Sequence, residues 1–396
     1  MLPWAGSTQR APKRVPVDPA LLAVTLILAL IGVVMVFSAS AVVATNRFHD
    51  PWYFLKRQVA WLVVGLLVMH VMSRIDYTIW KTMAIPLLGI ATLLLVMVLI
   101  PSLGNMAKGA RRWLHVGPIN IQPAEVAKFV AVMYAAAYLT KKQDQITQFA
   151  RGLLPPLIVI GVLSGLVLLE PDLGTVVVMG LVVATMLFLA GARVKHLAIL
   201  ALCALLGVAA LVLTSPYRWK RFLMFLDPTK DPSGAGFQIT QSFLAFGSGG
   251  PFGVGLGEGK QKLFFLPEAH TDFVLALVGE ELGLVGTVTI MLLFGLFVIK
   301  GFQVAGRARH PFGRQLATGI TMLIGMQALV NAGVVTGLLP TKGLTLPFVS
   351  YGGSSLVANL FGVGILLSIS RDRQGGHGGQ DGGGSRAARK RGVITE

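Results

Sequence analysis

Charge is scarce in this sequence, cysteine nearly absent and acidic residues few. Only 13% of its 396 residues are Asp, Glu, Lys or Arg, against about 25% in a soluble domain. That shortage excludes an ordinary solvated globule. The one cysteine, Cys203, sits in an apolar run, so no disulfide framework and no cysteine-built metal centre exists. No Walker A loop, dinucleotide-binding glycine fingerprint or HExxH motif occurs, which removes the usual nucleotide and zinc-peptidase signatures. No convincing tandem repeat is present. Acidic residues number 17 against 34 Lys and Arg, for a net charge of +17. Nucleic acid would suit that excess. In so apolar a chain, cytoplasmic loops and contact with anionic membrane lipids account for it instead.

What the sequence has is apolar length. It is 54% hydrophobic with a mean hydropathy of +0.72, and its apolar runs approach the ~20 residues that cross a ~30 Å hydrocarbon core. The runs are continuous rather than alternating, which argues against a barrel and for helices, whose backbone pairs internally. The fold class expected is an all-α polytopic membrane protein. About ten spans are read at 21–43, 56–72, 82–100, 123–140, 153–169, 174–190, 195–214, 272–299, 315–338 and 347–369. Ser38-Ala39-Ser40-Ala41 resembles a signal-cleavage site, but the first run exceeds the usual ~7–15 residues of a signal core, so an uncleaved span is preferred. With both termini cytoplasmic, 20 of the 34 Lys and Arg fall inside, 13 outside and one, Lys128, within a span, as the positive-inside rule favours.

Residues 1–16 then form a cytoplasmic tail, 17–370 the membrane domain, 215–271 a large extracytoplasmic loop, and 371–396 a basic, Gly-rich cytoplasmic tail expected to be disordered.

Four groups are candidates for chemistry. Asp272 opens the eighth apolar run. An Asp there can simply complement the helix dipole; alternatively it is a base at the membrane face. Glu125 and Lys128 lie three apart on one face of the fourth span, either a structural ion pair or the wall of a polar cavity. Glu280 and Glu281 follow in the eighth run; as neighbours they point different ways, so at most one faces an interior site, and a structural or regulatory role is favoured. Arg111 and Arg112, with Arg218, Lys220 and Arg221, form outward basic clusters that oppose the charge rule. They suit a phosphate ligand or ordinary headgroup contact, and Trp113 and Trp219 beside them fit an interfacial aromatic belt. The glycines from Gly247 to Gly259 fit tight turns or close backbone approach to a ligand. Gly352-Gly353-Ser354-Ser355, opening the tenth span, could line a cavity in the same way. His270 reads as a hydrogen-bonding loop residue, since no second His lies near it in sequence.

Several long stretches carry a family resemblance. They are Gly109-Ala110-Arg111-Arg112-Trp113, Gln122-Pro123-Ala124-Glu125-Val126-Ala127-Lys128, Glu170-Pro171-Asp172-Leu173-Gly174-Thr175 and Phe225-Leu226-Asp227-Pro228. The strongest are LPEAHTDF at 266–273 and LPTKGLTLPFVSYGGSSL at 339–356. Over residues 17–370 the chain resembles the SEDS family, to which RodA and FtsW belong. Gly255-Leu256-Gly257, Gln261-Lys262 and Lys342-Gly343-Leu344-Thr345 read more like the division paralogue than the elongation one.

The resemblance implies a peptidoglycan glycosyltransferase of about ten spans. It would polymerise lipid II into nascent glycan at the outer face of the inner membrane, at the division septum. The family's essential Asp falls on Asp272, and its fourth-span Glu and Lys on Glu125 and Lys128. Arg111, Arg112, Arg218 and Arg221 are candidates for holding pyrophosphate, with His270 and Ser354 completing the expected substrate-binding set. A class B penicillin-binding protein and other divisome proteins are the implied partners. No cofactor or dedicated metal-ligand cluster is evident, and a divalent cation, Mg or Mn, is an open addition at the leaving pyrophosphate. Two other classes compete: a lipid II flippase, which needs no base at the outer face, and a non-enzymatic division scaffold, which needs no Asp272.

Overall fold

The computed structural model describes residues 17–107, 110–117, 119–227, 236–263, 269–341 and 343–372. The expected tails at 1–16 and from 373 on lie outside the described residues. Among the described residues the chain forms thirteen α-helices and three short strands. In order they are α1 (Pro19–Phe48), α2 (Tyr53–Arg74), α3 (Ile79–Leu99), β1 (Gly104–Ala107), β2 (Ala110–Val116), β3 (Ile119–Ile121), α4 (Pro123–Lys141), α5 (Leu154–Leu169), α6 (Leu173–Leu189) and α7 (Val194–Leu213). There follow α8 (Pro216–Leu226), α9 (Phe237–Gly249), α10 (Val274–Glu281), α11 (Gly283–Arg307), α12 (Pro311–Val335) and α13 (Gly353–Arg371).

Eight of these helices are long and apolar enough to cross a membrane. Two more, α6 with 17 residues and the charge-bearing α4, coincide with the remaining expected spans. The fold is all-α and polytopic. Its centre is α4, buried on nearly every side, with α12 and α13, whose apolar windows are 67% and 72% buried. The corresponding window of α7 is 0% buried, so that helix lies at the periphery with its side chains turned to lipid. Gly32 of α1 lets the 346–350 segment approach closely: a Cβ there would lie 2.3 Å from the Phe348 carbonyl oxygen.

The structure departs from the sequence reading in three places. Residues 104–121 form a small antiparallel sheet of order β1-β2-β3. Asn105 pairs with Trp113 and Met106 with Arg111, so Arg112 is the extra residue of a β-bulge. The 215–271 stretch, read as one polar loop, contains α8 and α9. Most consequential, the eighth span is not one helix. It breaks at Leu282–Gly283, where Gly283 adopts φ +69°.

That break would leave the last carbonyls of α10 and the first N–H groups of α11 without helical partners, a cost of several kcal/mol each away from water. The 250–255 segment supplies them. The Val254 and Gly255 N–H groups donate to the Glu280 and Glu281 carbonyls at 3.0 and 3.1 Å. Leu284 and Val285 donate in turn to the carbonyls of Gly250 and Pro251 at 2.9 and 3.1 Å. The approach leaves no room for side chains: a Cβ on Gly253 would lie 2.2 Å from the Glu281 carbonyl oxygen. The glycines at 249, 253 and 259 thus accommodate the chain's own helix end, rather than a ligand.

Glu280 and Glu281 are both buried, at 2% and 1% exposure, and their carboxylates meet the continuation of that loop at 260–262. The loop wraps the helix end, so neighbouring directions both find it. Glu280 accepts from the Lys260 N–H (2.7 Å) and the Gln261 N–H (3.2 Å). Glu281 pairs with the Lys262 ammonium at 2.8 Å and accepts from the Ser38 hydroxyl of α1 at 2.6 Å. The sheet is anchored differently. Arg112 donates Nε to the Glu170 carbonyl (2.9 Å) and Nη2 to that of Pro171 (2.5 Å). The Glu170 carboxylate itself is buried with neither oxygen hydrogen-bonded. Burial pushes it up to about 8, with Asp172 adding to the rise and Arg112 opposing it.

Two expectations follow from these buried charges. Lys262→Ala strands the Glu281 carboxylate and is expected to destabilise the fold by about 3–5 kcal/mol, read as a lower unfolding midpoint in detergent. Lys262→Met combined with Glu281→Leu is expected to recover most of it. For Glu170, the folded state holds a proton between the ordinary 4.5 and about 8, where the unfolded chain has released it. Stability therefore falls as pH rises across that window, and the loss is complete above it. Glu170→Gln is expected to unfold at a higher temperature than the parent at about pH 8.5 and to converge with it toward about pH 5.

Candidate functional site

Asp272 lies in the turn that leads into α10, half-buried, one residue before the Phe273 N-cap. It stands just ahead of the first helical turn, at the positive end of the helix dipole. The Asp272 carbonyl accepts from Asn331 Nδ2 of α12 at 2.9 Å. The same nitrogen donates to the Leu344 carbonyl at 2.6 Å. The Asp272 carboxylate lies over Gly343: a Cβ built there would sit 3.0 Å from Oδ2. The turn at 269–273 and the 343–345 segment are thus held together by one buried amide.

Under this pair runs a buried polar seam. Lys128 of α4 has 0% side-chain exposure, and its Nζ donates to Glu125 Oε1 at 2.8 Å and to Gln327 Oε1 at 2.7 Å. Gln327 Nε2 donates to the Thr345 carbonyl at 3.0 Å. On the far side, Thr345 Oγ1 meets Ser355 Oγ of α13 at 3.0 Å, and Asn359 Nδ2 donates to the Ser355 carbonyl at 2.8 Å. Glu125 and Lys128 are therefore brought to Asp272, though through intermediaries. Their charges meet each other and α12 rather than an open cavity.

The remaining candidates are distributed around this centre. His270 packs its ring against Phe54 (4.9 Å) and Tyr351 (5.8 Å), and its carbonyl accepts from the Tyr351 N–H at 2.9 Å. Ser354 donates to the Asn120 carbonyl at 2.8 Å, joining α13 to β3, and Gly353 seats the Trp61 ring; the glycine–serine stretch makes packing contacts. Arg112 is engaged with the 170–171 turn, while Arg111 sits half-buried beside it on β2. Arg218 and Arg221 belong to α8, which packs on peripheral α7; the Arg218 side chain lies outside the described residues. Among the described residues, no three of His, Cys, Asp or Glu converge as a metal site.

Sequence reasoning missed Gln327 and Asn331, whose signal was available: two amides four residues apart share a helix face, and polar groups at membrane depth are rarely idle. It also passed over a third basic group at the α1–α2 turn. There Lys56 pairs with Asp50 at 2.9 Å, and Arg47 and Arg57 lie 5.7 and 4.7 Å from the centres of the Phe48 and Tyr53 rings.

Comparison with known proteins gives this geometry its context. Residues 19–375 match the family model of FtsW, RodA and SpoVE, described as "Cell cycle protein". A probable peptidoglycan glycosyltransferase FtsW of Geobacter metallireducens is 50% identical over 358 residues, covering 90% of this chain and 96% of that protein. Stage V sporulation protein E of Bacillus subtilis is 45% identical over 359 residues, 91% of this chain and 98% of that one. Among solved structures, a chain from a peptidoglycan synthase complex that coordinates polymerization and crosslinking superposes with a TM-score of 0.75. It is 32% identical and covers 90% of this chain and 98% of its own. The rod shape determining protein RodA of Thermus thermophilus gives a TM-score of 0.68 at 31% identity, covering 91% of this chain and 98% of its own. The chain belongs to the FtsW/RodA/SpoVE family of cell cycle proteins.

Proposed function

We propose that this protein is a peptidoglycan glycosyltransferase that polymerises lipid II, with Asp272 as its general base. The acceptor GlcNAc 4-hydroxyl attacks the anomeric carbon of the donor strand's MurNAc. The new β-glycosidic bond forms as the bond to undecaprenyl pyrophosphate breaks, so the anomeric configuration inverts. The hydroxyl proton passes to the Asp272 carboxylate, and the electron pair leaves on pyrophosphate. The observation that carries the reading is a half-buried carboxylate, fixed by α12 through its main chain, at the end of a membrane bundle. Such a position suits a water-facing sugar whose lipid tail stays in the bilayer.

Negative charge grows on the departing pyrophosphate, where fixed donors have their largest effect. Arg111 and the α8 cations Arg218 and Arg221 are the proposed source. Arg112 acts on the 170–171 turn. A divalent cation, Mg or Mn, is a further proposed aid to the leaving pyrophosphate.

The proposed setting is the inner membrane at the division septum, with a class B penicillin-binding protein crosslinking the product. The likeness to a chain of a synthase complex that couples polymerization to crosslinking supports that pairing.

Glycan polymerisation from lipid II by purified protein in detergent tests the reaction. It also separates an enzyme from a flippase, because no second compartment exists. Asp272→Asn keeps the shape and removes the base, and is expected to lower the rate about 10²–10⁴-fold. Polymerisation at the parent rate by that variant would end the assignment.

A further inference from the structure

We propose that Gln327 and Asn331 are positioning residues for Asp272: α12 aims the base through two buried amides. The proposal rests on the reading of Asp272 as the base.

The orientation of each amide is forced by its neighbours. Lys128 has only donors to offer, and its ammonium stands 2.7 Å from the Gln327 amide. The oxygen of Gln327 must face it, so the nitrogen faces the Thr345 carbonyl at 3.0 Å. Asn331 lies between two carbonyls, those of Asp272 and Leu344. Only an NH₂ group satisfies both, and it uses both of its hydrogens to do so. Each side chain is 1% exposed, so no water competes for these bonds.

The consequence is mechanical. Asn331 ties the turn that carries Asp272 to Leu344. Gln327 ties Thr345, the next residue, to the Glu125–Lys128 pair. Ser355 of α13 holds Thr345 from the other side at 3.0 Å. Gly343, preceding these anchored residues, forms the surface against which the Asp272 carboxylate rests. Both amides donate to main-chain carbonyls, those of Asp272 and Thr345, and act through the backbone. A reacting group displaced by about 1 Å loses roughly 10²-fold in rate, whereas substrate affinity set elsewhere is unaffected.

The experiment is lipid II polymerisation kinetics with purified Asn331→Leu, Gln327→Glu and Asp272→Asn, alongside unfolding midpoints in the same detergent. Asn331→Leu fills the space without donors. Gln327→Glu keeps an oxygen for Lys128 but turns an acceptor toward the Thr345 carbonyl. Both are expected to lower kcat about 10–100-fold with KM for lipid II within about twofold of the parent.

Three outcomes overturn the proposal. A raised KM with unchanged kcat would make these substrate-binding groups. Parental kinetics in both variants would remove any role. Full activity of Gln327→Glu, with Asn331→Leu losing activity and unfolding midpoint in parallel, would leave Asn331 merely structural. Asp272→Asn keeps the two questions apart. A parental rate there ends the base assignment itself, whereas an inactive Asp272→Asn beside parental amide variants ends only the positioning.

Discussion

A lysine ammonium with no access to water governs the interior of this bundle. Lys128 has 0% side-chain exposure, and an unpaired charge in such a place is costly enough to be lost or expelled. Its Nζ can only donate, so acceptors must come to it. Glu125 on the same helix supplies one and Gln327 on α12 the other. Once Gln327 has committed its oxygen, its nitrogen must find an acceptor, and the Thr345 carbonyl meets it. One buried charge thus fixes where α4 and α12 touch and where the 343–345 segment lies over them. That segment is the floor under Asp272.

The second constraint is the broken span. A continuous helix from Asp272 onward would make the carboxylate a passenger on a long membrane rod. The break at Leu282–Gly283 separates the crossing, done by α11, from the placement, done by α10. All eight residues of α10 are buried, packed among α9, α1, α11 and α12. Its position is therefore set by protein on every side rather than by its depth in lipid. The break is tolerable only because the 250–255 backbone satisfies both helix ends. The buried Glu281–Lys262–Ser38 contacts then tie the loop and α10 to α1.

The spans were legible in the sequence because hydropathy needs no knowledge of partners. Asp272, Glu125 and Lys128 could each be singled out through the motifs and through the rarity of charge in apolar runs, though not the polar seam that joins them. The break was not, since the apolar pattern continues from Phe273 to Ile299 and hydropathy does not register a change of direction. Two adjacent glutamates ahead of Gly283 were the hint, and their meaning depends on a loop that returns from some twenty residues upstream. The role of Arg112 was hidden for a different reason. Its partners are main-chain carbonyls, which every residue possesses, so no side-chain pattern announces them. Gln327 and Asn331 were hidden because a helix-wide average over α12 absorbs two amides without trace.

The division of the basic residues follows from where they are spent. Arg112 gives two of its donors to the 170–171 turn, beside a Glu170 carboxyl whose hold on its proton burial strengthens. With those donors on the Glu170 and Pro171 carbonyls, the arginine becomes a strut between β2 and the start of α6. Its neighbour Arg111 pairs in register with Met106 of β1, whereas Arg112 is the bulged residue. The irregularity in the strand thus gives two adjacent arginines different surroundings. The sequence pair alone offered no means of telling them apart, because the distinction is made by the register of a bulged strand and by main-chain acceptors from a distant turn.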